Sequence, residues 1–67
     1  MSAIQKVKKS FKIDNKLIDT AYAILNEPDV DKACDLLDDY GRKETKLIFI
    51  CLNAIRHDVE DYLNSRL

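Results

Sequence analysis

Sixty-seven residues leave room for one domain, and 46% apolar with 34% charged residues is too hydrophobic a balance for a disordered tail. One glycine and one proline supply too few turns for many short strands, so the composition points to an all-α chain, a small bundle of about four helices. The net charge of −1 is unevenly spread, with +4 over residues 1–17, −6 over 18–41 and +1 over the remainder.

The first helix is expected over 3–11. Ser2 and Gln5 have the spacing of a capping box, and Ile4, Val7 and Phe11 then recur at helical intervals. A helix this short is marginal alone and must lean on something.

The second is expected over 15–26. Asp14 is a good N-cap, and Ile13 with Ile18 stands at the offset of a hydrophobic staple. Leu17, Ile18, Ala21, Tyr22, Ile24 and Leu25 cover one side, and Pro28 stops the run by forcing its predecessor out of helical geometry.

The stretch DVDKACDLLDDYG, residues 29–41, predicts a third helix over 30–40. Asp29 as N-cap or Pro28 as first helical residue would start it, and Gly41 would end it in a left-handed C′ position. Val30, Ala33, Cys34, Leu36, Leu37 and Tyr40 fall on one arc; Asp31, Asp35, Asp38 and Asp39 fall on the other. A calcium loop from Asp29 would need an oxygen ligand at Ala33, a glycine at Cys34 and a glutamate at Tyr40, and it has none of them. The aspartates therefore read as a solvated face or as a docking face for a basic partner. Asp38 and Asp39, near the unfavourable end of the helix dipole, tilt the reading toward docking.

The fourth and longest helix is expected over 43–65. Ile48, Leu52, Ile55, Val59 and Tyr62 advance by alternating fours and threes, a heptad-like seam flanked by Cys51 and Leu63. Residues 47–52, LIFICL, also suit a β-strand, but no other stretch offers a partner strand. This hexapeptide is apolar nearly all round, and three short helices have difficulty enclosing it. A second copy of the chain is the simplest cover. The expected homodimer interface is Leu47, Ile48, Phe49, Ile50, Leu52, Ile55 and Val59.

Chemistry is thin by comparison. His57 can meet Asp61 one turn on, but no nucleophile or phosphate-binding loop has a place beside the pair, so no enzyme is expected. Cys34, Cys51 and His57 are three scattered candidates where zinc wants about four ligands, and no metal or cofactor is expected. The two cysteines read as buried, reduced thiols in a cytoplasmic protein. No signal segment, membrane span or lipidation motif is evident, and the basic amphipathic start has too few apolar anchors to hold a membrane.

The sequence thus predicts a small non-enzymatic protein-protein interaction module, a regulator, inhibitor or adaptor. It would be homodimeric through its last helix and would dock a basic partner on Asp31, Asp35, Asp38 and Asp39. The alternative is a small nucleic-acid-associated regulator whose basic patch is Lys6, Lys8, Lys9 and Lys12, with Lys16, Arg42, Lys43 and Lys46 as candidate extensions.

Overall fold

The computed structural model describes residues 2–67 and contains four helices and, among those residues, no strand. They are α1 (Ala3–Phe11), α2 (Asn15–Asn26), α3 (Val30–Asp35) and α4 (Arg42–Ser65). The chain is all-α, and its last helix is the longest. None of its helices is long and apolar enough to cross a membrane.

Local chemistry starts three of the four helices. Ser2 Oγ accepts from the Gln5 amide while Gln5 Oε1 accepts from the Ser2 amide, closing the capping box. Asp14 caps α2 by accepting from the Lys16 amide, and Asp29 caps α3 by accepting from Asp31 and Lys32. α4 has no such cap. Its N-cap is Gly41, which has no side chain to offer.

Two expectations at this junction are corrected. The third helix ends at Asp35 rather than residue 40, and Gly41 is extended (φ −79°, ψ −176°) at the start of α4 instead of left-handed behind α3. After Asp35 the amides of Leu37, Asp38 and Tyr40 bond three residues back, to Cys34, Asp35 and Leu37. In such tight turns residues three apart eclipse one another. Leu37 and Tyr40 thereby share one side and both pack against the core. The Tyr40 hydroxyl lies 2.9 Å from Thr20 Oγ1 on α2, and its ring is 5.9 Å from Lys16 Nζ. Anchoring Tyr40 in this way takes precedence over continuing a helix whose last turn carries Asp38 and Asp39 against the dipole.

The core lies between α4 and the α1–α2 pair. Ile13, Leu17 and Ala21 meet Ile48, Cys51 and Ile55, with Ile4, Val7, Ile24, Leu47 and Leu52 partly buried around them. Both α1 and α2 pack along α4 without approaching each other closely, and α3 approaches only α2. The Cα extent is 14 Å in its thinnest direction, about one interhelical spacing plus one backbone width. Two layers make a single buried seam. Cys51 is fully enclosed, and burial pushes its thiol pKa up. Cys34 is free but exposed, which corrects the expectation of two buried thiols: with the helix ending at Asp35, its side chain falls outside the face that Leu37 and Tyr40 bury.

A long-range contact fixes α1. Both carboxylate oxygens of Asp58, on α4, accept from the first helical amides, Ala3 at 2.6 Å and Ile4 at 3.1 Å. These hydrogen bonds, first Ala3 and then Ile4, hold the Asp58 carboxyl below the usual carboxylate pKa. α1 has no fully buried residue, so this latch and the partly buried Ile4 and Val7 are what keep it docked.

Candidate interaction surface

The seam of α4 divides into two halves. Along its first half Ile48 (1% exposed) and Ile55 (6%) lie in the chain's own core, and Leu47, Ile50 and Leu52 are partly covered. Ile48 and Ile55 therefore drop out of the expected dimer interface, since α2 already occupies that side of the helix. The hexapeptide is better enclosed by its own chain than its composition implies. Only Phe49, 62% exposed, stands clear of it, beside Thr45, Lys46 and Ile50.

The second half of the seam is open. Val59, Tyr62 and Leu63 are each more than half exposed. At 1.5 Å per residue the 12 residues of α2 reach about 18 Å, against about 36 Å for the 24 residues of α4. α4 outruns its partner. Where α2 ends, Ile24 and Leu25 form a groove with Leu52, Ile55 and Val59, rimmed by Asn53, Arg56 and Glu60. Leu25, Val59 and Leu63 are thus an apolar edge that was not singled out as a unit in the sequence. The exposure follows from relative helix length, which periodicity does not report.

Around this edge the polar contacts are local and exposed. Arg56 pairs with Glu60 and His57 with Asp61, both at 3.3 Å, and Arg66 donates to the Tyr62 hydroxyl at 2.7 Å. Exposed pairs of this kind add little stability. Cys51, six residues before His57, is sealed in the core with its thiolate disfavoured. Among the described residues no group of three or more histidines, cysteines and carboxylates is placed to hold a metal ion.

The aspartates do not form one helical face. Asp31 and Asp35 lie on α3, whereas Asp38 and Asp39 lie on the turns after it, all four exposed. Asp39 instead lines a mixed-charge depression with Asp14, Glu44, Lys12, Lys16 and Lys43. Lys8 and Lys9 on α1 and Lys12 just after it line a shallow depression with Gln5 and Ile13, and Lys6 stands apart from it. Among the described residues none of these four lysines is in a salt bridge.

No protein-family model, curated protein or solved structure matches the chain.

Proposed function

We propose that this chain is a non-enzymatic protein-protein interaction module that associates with a second copy of itself through the open half of α4. What supports this most is the exposed run of Val59, Tyr62 and Leu63, continuous with the groove at Leu25 and Leu52. A seam of alternating fours and threes is self-complementary across a two-fold axis, and a 67-residue domain with one buried layer gains most from such a partner. Phe49 is a separate, smaller apolar spot beside it. The exposed acids Asp31, Asp35 and Asp38 are then available to a second protein with a basic surface, so that the dimer works as a regulator or adaptor. Cys34, an exposed free thiol, suits a reducing, cytoplasmic setting.

Sedimentation equilibrium tests the self-association. The expected mass is twice the 7.7 kDa of the chain, reverting to one chain on Val59→Lys with Leu63→Lys. A wild-type monomer at tens of micromolar refutes it. Asp31→Asn with Asp35→Asn should leave that mass unchanged while weakening capture of a basic partner.

One observation favours a second reading. Lys8 and Lys9 line one depression, with Lys12 shared between it and the mixed-charge one, and none of the three is in a salt bridge among the described residues, an arrangement that suits a phosphate backbone. Salt-sensitive retardation of DNA or RNA, lost on Lys8→Ala with Lys9→Ala, supports that reading, and no retardation at low salt ends it.

A further inference from the structure

We infer that the two copies pair antiparallel along α4, Phe49 of each chain entering the groove between Leu25 and Val59 of the other; this rests on the self-association proposed above and fixes its direction and register. α4 carries a second seam, turned outward from the core. Thr45, Phe49, Leu52, Arg56, Val59 and Leu63 advance by alternating fours and threes, and at about 100° per residue they keep within an arc of about 80°. Phe49, Val59 and Leu63 are each more than half exposed and Leu52 is partly covered. Thr45 is partly buried, with its hydroxyl donating to the Gly41 carbonyl. The depression beside Phe49 and the groove at Val59 therefore lie on one line of the helix. Arg56 is the one charged member of that line.

Charge selects the direction. With His57 neutral, α4 is net +2 over residues 42–47 and −3 over 57–61. Two copies running the same way would set like ends together and Arg56 against Arg56 across the two-fold axis. Running opposite ways, they set each basic start beside an acidic end, and the helix dipoles oppose.

The seam then selects the register. Phe49 meets Val59 of the other copy, Leu52 meets Arg56, and Thr45 meets Leu63, each pair occurring twice about the axis. A shift of one heptad either way leaves Phe49 or Leu63 without a counterpart. The Arg56 stem lies along Leu52 while its guanidinium keeps Glu60 of its own chain, 3.3 Å away. On the flank away from α2, Lys46 of one copy stands beside Glu60 of the other at both ends of the dimer, and Asn53 beside Asn53 at its centre. All three side chains are exposed in the single chain, so this rim is polar and complementary.

The test uses the full chain and reverses the rim charges. Lys46→Glu or Glu60→Lys alone puts like charges together at both ends, and the dissociation constant should rise about tenfold in sedimentation equilibrium. The two together restore opposite charges, so the double variant should dimerise more tightly than either single one. A second readout is the distance between copies from spin labels at Lys43→Cys in a Cys34→Ser background, Cys51 being enclosed. The antiparallel register separates the labels by about 33 Å along the helix axes, whereas parallel helices would hold them about 10 Å apart. A dimer with labels at the short distance, or with no recovery in the double reversal, overturns this pairing and leaves self-association standing. Monomers throughout overturn both.

Discussion

Replacing Asp58 should release α1 while leaving the rest of the fold in place. In Asp58→Ala the amides of Ala3 and Ile4 lose both acceptors, and the positive end of the α1 dipole loses its carboxylate. The capping box remains, but it serves the Ser2 and Gln5 amides. A nine-residue helix is well below the length at which helices persist alone in water, and this one buries no residue completely. α1 supplies 9 helical residues beside 12, 6 and 24 in the other helices, so far-UV ellipticity should fall by about a sixth. Amide exchange should quicken over Ala3–Phe11, with α2 and α4 keeping their protection. An Asp58→Ala chain with undiminished ellipticity and unchanged protection in α1 would show that apolar contacts alone hold the helix, and the latch would have no role.

The same contact predicts a response to acid. Because the Asp58 carboxyl is held below its usual pKa in the folded chain, its contribution to stability is complete above the unfolded value of about 3.9. It is lost as the pH falls through the lowered folded value. α1 should therefore be unaffected between neutrality and mild acid and should detach only in strong acid. Asp58→Asn, which has no proton to take up, should lack that step.

Three further perturbations probe the core, the α4 start and the thiols. Ile48→Ala opens a cavity at a position 1% exposed and should cost about 2–5 kcal/mol, most of the roughly 3–10 kcal/mol expected for a domain of this size; a loss below about 1 kcal/mol in urea denaturation would place Ile48 outside the core. Gly41→Ser should stabilise the chain by about 0.5 kcal/mol, by capping α4 and narrowing the unfolded ensemble. A Cβ there would meet Glu44 Oε2, the far end of a flexible side chain, at 3.1 Å; destabilisation would mean that this carboxylate cannot give way. With a thiol reagent, one equivalent should react at once at Cys34, while Cys51 should wait for unfolding and quicken with added urea. Two fast equivalents would contradict its enclosure.

Helix starts were legible because their chemistry is local. Ser2 with Gln5, Asp14 and Asp29 each bond amides two or three residues on, within the reach of a sequence pattern. Helix ends were less so. A lone glycine between two helices can close the first or open the second, and the decision at Gly41 is made by Tyr40 reaching Thr20, twenty residues away. The left-handed turn at Lys12 has no glycine to announce it, and Asp58 finds its partners 54 and 55 residues back along the chain. A surface aspartate one residue from a histidine looks the same in sequence whether or not a helix N-terminus will land on it.

The proposed interaction surface lies between these cases. A period of alternating fours and threes says which side chains line up, and the side of α4 from Ile48 to Tyr62 was legible on that basis. It does not say which of them the rest of the chain covers. Coverage depends on how far α2 runs beside α4, and that is set by Pro28 stopping α2 after twelve residues while nothing stops α4 before Ser65. The hexapeptide is the densest run of apolar residues in the chain. Five of its six residues are buried or partly buried in the folded chain, whereas Phe49 and, further along α4, Val59, Tyr62 and Leu63 are more than half exposed. In a two-layer domain the residues available to a partner are those the fold could do without. The proposed partner surface therefore lies where the helices cease to overlap, beyond the stretch of densest hydrophobicity.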